Sequence, residues 1–336
     1  MQRLCSIVGA MMLVGCGLFD PAYGDGEGGY DAGGVAGGEP TDGDAGADAG
    51  DIPMTTADNE DPGDTICACA PNNDNIYVMA DPRDIYIFNP DTLEFQFVTH
   101  IACGEPNGGS KAMGISRKGR AWVEYYSGDI HTVDLTRSNT TTACLDPGFD
   151  TYYDPMFAQF GMAFVANSPT DSCEKLYLNT SIPPEFEAPM GRYNGALGVV
   201  DPGTLALSRI GSIDFTEGEL TGTRDGRMFA FAPGLRSHLS EYDKDSGELL
   251  DRWPLPGLGE VDAYSFTFWG GYFYFFTAPE DPDVNSRVTK YDFDDLDGDG
   301  MVLTTVIEEA PFRVVAAAVS TCAPSCPRSW RAACSL

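Results

Sequence analysis

Three aspartates at alternate positions, Asp295, Asp297 and Asp299, run into Gly300 within DFDDLDGDG, residues 292–300. Alternating carboxylates can wrap a hard cation such as calcium, and the glycine permits the sharp turn this requires. The twelfth position counted from Asp295 is Val306, where an EF-hand would carry a bidentate Glu; Glu308 and Glu309 lie beyond it. No flanking helices are expected. Two readings stand: a calcium loop of another type, pinning an outer hairpin, or a solvated acidic turn. No other cofactor is indicated. The three histidines, His100, His131 and His238, are far apart in the chain, too few for a metal-centred active site. No GxSxG elbow occurs, and a Ser-His-Asp set assembled from distant positions leaves no sequence mark. With 51 acidic residues, any chosen pair of carboxylates is uninformative. A non-enzyme is therefore favoured over an enzyme.

Other residue types suggest surfaces. The runs YFYFF (272–276), VEYY (123–126) and MFAFA (228–232) could form a carbohydrate platform, but their strand positions suit a buried core better. Tyr152, Tyr153, Trp253 and Trp269 lie nearer turns and are the candidates for an exposed face. Arg117, Lys118, Arg120, Arg224 and Arg227 recur in turns, where they either ring one face with positive charge or simply keep the turns soluble.

The N-terminus reads MQRLCSIVGAMMLVGCGLFD. Arg3 precedes an apolar run from Leu4 to Val14, too short to cross a bilayer as a helix and patterned like a secretory signal peptide over residues 1–15. Leu13-Val14-Gly15-Cys16 resembles the lipobox of bacterial lipoproteins. That resemblance implies lipid on the Cys16 thiol, cleavage before it, and a stable multi-chain anchor. Gly17 in place of Asp implies passage to the outer membrane. Residues 16–63 are rich in Gly, Asp and Ala and cannot bury enough apolar surface to offset chain entropy; they read as a flexible acidic tether. The formal charge of −31 argues against a nucleic-acid partner, which needs a basic face.

Eight cysteines remain beyond Cys5 and Cys16: Cys67, Cys69, Cys103, Cys144, Cys173, Cys322, Cys326 and Cys334. An even set in an exported chain argues for disulfides, and the spacings do not match a zinc site.

The elements that hold these residues repeat. IFNPDTLEFQFV (87–98), TVDLTRSNTTTAC (132–144), VVDPGTLALSRIG (199–211), EYDKDSGELLDRW (241–253) and KYDFDDLDGDGMVLTTV (290–306) each join two short strands through an Asn- or Asp-led turn. The markers Asn89, Asp134, Asp201, Asp243 and Asp292 are separated by 45, 67, 42 and 49 residues. Their side chains can bond the backbone two residues on. A second hairpin precedes most of them: AMGISRKGRAWVEYY (112–126), ELTGTRDGRMFAFA (219–232) and SFTFWGGYFYFF (265–276), each with a glycine turn pair. The third copy, GMAFVANSPTDSCEKLYLNT (161–180), is expected to have a longer turn. The extra residues of the long gap fit a loop through 181–195.

Four strands of period-two character every 45 residues or so are the mark of propeller blades. The expected fold is all-β: a five-bladed β-propeller over residues 64–325, six or seven blades being the alternative, with a tail at 326–336. Unit one lacks its innermost strand, and FRVVAAAVSTC (312–322) is left over at the end. If it completes the first blade, the ring closes without a free edge, and a disulfide from Cys67 or Cys69 to Cys322 would lock it. Cys103 would end the outer strand of blade one and Cys144 that of blade two. Cys173 would lie in blade three's turn. Pairing among Cys103, Cys144 and Cys173, with Cys69 as a further partner, is open, and Cys326–Cys334 would form an extra pair in the tail.

The order AMGISRKGRAWV, FGMAFVANSP, LTGTRDGRMFAF, FTFWGGYFYFFT and VVAAAVSTCAP resembles a group of predicted β-propeller lipoproteins from predatory and soil deltaproteobacteria, over about residues 65–325. The resemblance implies the fold, export and anchoring, and no activity. The expected role is a lipid-anchored, non-catalytic binding or scaffolding protein of the cell envelope with an unknown protein or glycan ligand. The alternatives are an envelope hydrolase or lyase of lactonase or glycan type with a central metal, and a purely structural component.

Overall fold

A computed structural model describes residues 67–80, 83–103, 109–137, 141–149, 155–180, 195–215, 218–233, 237–258, 261–293, 295 and 302–326. Twenty strands are found there. In chain order they are β1 (Ile76–Ala80), β2 (Asp84–Asn89), β3 (Glu94–Ala102), β4 (Ser110–Ile115), β5 (Arg120–Tyr125), β6 (Ile130–Asp134) and β7 (Thr141–Ala143). Then come β8 (Phe160–Ser168), β9 (Asp171–Thr180), β10 (Gly195–Val200), β11 (Leu207–Ile213), β12 (Glu219–Gly222), β13 (Met228–Ala232), β14 (His238–Tyr242) and β15 (Leu249–Pro254). The last are β16 (Ala263–Trp269), β17 (Tyr272–Ala278), β18 (Arg287–Asp292), β19 (Leu303–Ile307) and β20 (Val314–Ala318).

These strands form five sheets, the blades of a β-propeller: β20-β1-β2-β3-β7, β4-β5-β6, β8 to β11, β12 to β15, and β16 to β19. The ring closes as the repeat requires. Strand β20 lies antiparallel to β1, with Tyr77 opposite Ala318 and Met79 opposite Ala316, and so supplies the inner strand that unit one lacks. The inner strands β20, β4, β8, β12 and β16 then follow one another around the axis.

Period-two alternation builds the core between blades. On β5, Ala121, Val123 and Tyr125 face blade one, whereas Trp122 packs with Phe160 and Phe164 of blade three. On β17, Phe273 and Phe275 meet Phe229 and Phe231 of blade four, and Tyr274 and Phe276 meet Ile76, Val78 and Phe88 of blade one. A strand buried on both faces loses the apolar–polar alternation, so YFYFF and MFAFA are blade-to-blade core. Full burial of each phenylalanine contributes about 1.5–3 kcal/mol. Inner strands use glycine where they cross closely: a Cβ at Gly161 would run into the carbonyl oxygen of Gly218, and one at Gly222 into that of Phe164.

The marker residues act as turn caps. Asn89 Oδ1 accepts the N–H of Asp91, Asp201 Oδ1 those of Gly203 and Thr204, and Asp243 Oδ1 those of Asp245 and Ser246. Asp134 Oδ1 does the same for Thr136. In three of these turns a residue of positive φ closes the loop: Leu93 at 59°, Leu205 at 59° and Gly247 at 77°.

Three disulfides are present among the described residues: Cys67–Cys173, Cys69–Cys322 and Cys103–Cys144. The second joins the entry of the ring to its exit. Cys326 is oxidised as well, and Cys334 lies outside the described residues. Two expectations are corrected. Strand β7 does not complete blade two; it adds to blade one, parallel to β3, with His100 opposite Thr141 and Ala102 opposite Ala143. The Cys103–Cys144 bond and the Thr99–Thr142 hydroxyl pair at 3.0 Å hold it there, and only Leu145 bridges back to Thr132 of blade two. The third hairpin has a short turn, because β8 and β9 run on until only Pro169 and Thr170 separate them; this places Cys173 within β9.

Candidate functional site

Where the inner strands begin, one end of the ring gathers ionisable groups. Glu219 is the first residue of β12, and Lys111 stands at the start of β4. Glu124 lies on β5 opposite Ala112, on the same strand face as Trp122, so its carboxyl occupies a position that alternation would give to an apolar residue. Glu124 is fully buried. Its Oε1 accepts the N–H of Phe160 at 2.9 Å, while Oε2 has no hydrogen-bond partner; the buried Nζ of Lys111 has none either.

Burial pushes the carboxyl of Glu219 up to about 8 against the opposing charge of Lys111. Burial likewise raises Glu124 to about 8, opposed by Lys111 and the Phe160 N–H and reinforced by the charge of Glu219. Each carboxyl therefore holds its proton at neutral pH. Tyr126, just past β5, feels the same surroundings: burial raises its hydroxyl, helped by Asp262, Glu124 and Glu219. Arg313 binds Asp262 at 3.0 Å and the carbonyl of Pro279 at 2.8 Å, fixing the entries to β16 and β20. Protonated carboxyls near an ammonium can hold and donate protons. With Glu124 sealed from solvent, its carboxyl lies inside the packing between blades rather than in an open cleft.

The opposite end carries the closure. Arg117, 6% exposed, donates from Nε to the carbonyl of Cys67 at 2.9 Å and from Nη1 to the carbonyl and hydroxyl of Thr321 at 3.2 and 3.0 Å. Glu174 accepts the N–H of Arg117 at 2.5 Å and the Thr321 hydroxyl at 2.7 Å. Two of the turn arginines are tied into the packing: Arg117 is a structural lock, and Arg227 pairs with Glu241 at 2.8 Å over the rings of Phe229 and Phe293.

On this same end, blades one and two part to leave a groove of about 520 Å³. Its floor is the margin of the apolar core between them. Tyr77, Ile87 and Gln96 stand in register across β1, β2 and β3 as one wall, and Leu135 faces them from blade two. Asn72, Asn73 and Asn75 form the base.

The other sequence-derived candidates are scattered. Asp295 is exposed with φ of 51°; Asp297 and Asp299 lie outside the described residues, as do Cys16, Tyr152 and Tyr153. Trp269 is not a surface residue: it is 4% exposed, and its Nε1 donates to the carbonyl of Asp74 at 2.7 Å. Trp253 is half-buried against Phe293, ring centroids 4.9 Å apart. The histidines fall in three blades, and among the described residues no three His, Cys, Asp or Glu side chains gather around a common point. Sequence reasoning missed Lys111, Glu124, Glu219 and the groove. The one available signal was Glu124 itself, a charge within the run AWVEYY.

No family model and no curated sequence matches the chain. Among solved structures it is similar to TolB from Acinetobacter baumannii, with 12% identity and a TM-score of 0.39 over 70% of this chain and 52% of that one. It is also similar to a chain of the nidogen/laminin complex, with 8% identity and a TM-score of 0.44 over 75% and 98%. A third likeness is to the Dos1 propeller, with 10% identity and a TM-score of 0.37 over 71% and 69%. The chain spans about half the length of TolB, and these likenesses concern the fold alone.

Proposed function

We propose that the protein is an exported, non-catalytic binding or scaffolding protein of the cell envelope, held to the outer membrane by lipid on Cys16 and carried on the acidic tether of residues 16–63. The observation that carries this reading is the cross-linking of the ring by Cys67–Cys173, Cys69–Cys322 and Cys103–Cys144. Structural disulfides persist in oxidising compartments, which agrees with the signal peptide and lipobox read from residues 1–16. The lipoprotein-like order of motifs over about residues 65–325 supports the same reading.

The alternative, a hydrolase or lyase around a central metal, fits the inner end of the ring less well. The charge of Lys111 beside Glu124 and Glu219 repels a cation there, and burial raises both carboxyls towards the protonated form.

The test is metabolic labelling with palmitate of the full-length chain and of Cys16→Ser, followed by fractionation. The expected result is label and membrane retention in the native chain and loss of both in the variant. The purified full-length chain in detergent micelles should also retain an envelope fraction, glycan or protein, without turning over lactone or glycan substrates. Membrane retention of Cys16→Ser would remove the anchor from the proposal. Turnover that a chelator abolishes would replace binding by metal-dependent catalysis.

A further inference from the structure

The shortest of the three cross-linked loops is one whose opening leaves the ring shut. Cys103–Cys144 closes 41 residues, whereas Cys69–Cys322 joins entry to exit over 253. Access to the sulfurs differs as well. Cys67 and Cys173, bonded to each other, are 3% and 7% exposed. Cys103 is buried to the same degree, but its partner Cys144 is only half-buried. A thiolate arriving from solvent therefore meets Cys144, and Cys103 is the sulfur it expels.

The surroundings of Cys103 suit a leaving thiolate. The Tyr125 hydroxyl donates to its Sγ. Burial, against the opposing charge of Arg83, pushes that hydroxyl up to about 12, so it keeps its proton and goes on donating. Arg83 Nη1 donates to the carbonyl of Cys103 at 3.1 Å, which brings a guanidinium beside the same residue. Arg83 makes this contact from a φ of 113°, a conformation costly for a residue with a Cβ. A donor and a nearby cation lower a thiol's pKa, and a lower leaving-group pKa speeds exchange.

What the bond holds is a strand away from its own sheet. β7 pairs with β3 of blade one, while blade two has only β4, β5 and β6. At either end of β6, Asp129 and Leu135 bond to Tyr125 and Gly119. The alternate residues Ile130, Thr132 and Asp134 therefore turn their N–H and C=O to the outer edge. Thr132 already exchanges both of its bonds with Leu145, at 2.8 and 2.9 Å. Continuing that antiparallel register places Ala143 opposite Asp134, which is the hairpin expected from the repeat TVDLTRSNTTTAC.

We propose that Cys103–Cys144 is a thiol–disulfide exchange site, opened by a dithiol, and that its opening transfers β7 from blade one to blade two. A thiolate of the dithiol attacks Sγ of Cys144, forming a mixed disulfide and releasing Cys103 as a thiolate. The second sulfur of the dithiol then displaces Cys144. Two electrons pass to the protein, the two protons of the dithiol end on Cys103 and Cys144, and the dithiol becomes a disulfide. The inference goes beyond the binding and scaffolding reading and does not depend on it.

The test is timed reduction of the full-length chain in detergent micelles with dithiothreitol, alkylation of the freed thiols, and peptide mapping. Cys103 and Cys144 should be alkylated before Cys67 and Cys173. In Tyr125→Phe the opening of Cys103–Cys144 should slow about tenfold, the opposite of what loosened packing gives, while Cys69–Cys322 opens at its native rate. In the double variant Cys103→Ser/Cys144→Ser, amide exchange should be faster than native at Thr141 and Thr142 and slower over residues 130–134. Earlier opening of Cys67–Cys173, or an unchanged or faster rate in Tyr125→Phe, overturns the exchange site. Native protection at Thr141 and Thr142, or exchange over 130–134 that is no slower, overturns the strand transfer. The labelling and retention assays above decide the envelope reading separately.

Discussion

The guanidinium of Arg117 reaches across 204 residues of chain to the carbonyl and hydroxyl of Thr321, at 3.2 and 3.0 Å. The same side chain holds the carbonyl of Cys67. One turn of blade two therefore ties together the point where the chain enters the ring and the point where it leaves.

Arg117→Ala removes three hydrogen bonds from a charged donor and leaves their acceptors in a buried setting. Such bonds contribute about 1.5–3 kcal/mol each at most, and the losses overlap, so a total destabilisation of about 3 kcal/mol is expected. The urea midpoint should fall at unchanged slope. An unaltered midpoint would show that the disulfides alone secure closure.

The disulfides should rank by the chain they close. Cys69–Cys322 spans 253 residues and Cys103–Cys144 spans 41. In the chain-entropy picture the longer loop contributes about 1.6 kcal/mol more. Paired serine substitutions at 69 and 322 should therefore lower the melting temperature more than those at 103 and 144. The latter pair should instead free β7 from β3, seen as faster amide exchange over residues 141–143.

Stability should fall as pH rises from the ordinary carboxylate value of 4.5 towards 8, because Glu124 and Glu219 keep their protons in the folded state up to about 8 while the unfolded chain releases them. Below 4.5 both states are protonated and this penalty vanishes; above 8 it is constant. Glu219→Gln mimics the protonated form and should flatten the profile, raising stability at pH 8 by on the order of 1–3 kcal/mol. A steeper profile in the variant would contradict the burial argument.

Close approach of the inner strands makes two glycines behave differently. At Gly161 an added Cβ meets the backbone of Gly218 and Glu219, whereas at Gly114 the nearest atom is a ring carbon of Phe164 at 3.4 Å. Gly161→Ala should cost about 2–3 kcal/mol, since backbone cannot step aside as a side chain can. Gly114→Ala should change stability by less than about 1 kcal/mol. Equal effects in chemical denaturation would mean that β8 and β12 are less tightly apposed.

The ring and its closure were legible because turn chemistry and period two are local. Asn89, Asp134, Asp201 and Asp243 announce their turns, and VVAAA lacks any partner but blade one. The move of β7 was not legible: Thr141–Ala143 is too short to show which sheet it faces, and the Cys103–Cys144 pairing that holds it is not written in spacing. Trp269 sits before the Gly270-Gly271 turn and so looked exposed, yet its ring turns inward to Asp74. Lys111 and Glu219 carry no local mark, because nothing in the flanking residues shows that neighbouring blades cover them. The groove draws on residues 71–77, 87, 96–98, 119 and 135–137, segments that only the assembled ring brings together.

The Cys69–Cys322 bond has a mechanical consequence. Tension applied along the chain from before Cys69 to beyond Cys322 runs through that single covalent link and bypasses the 252 residues between its ends. The blades carry none of that load, so pulling the chain from its two sides leaves the pairing of β20 with β1 in place.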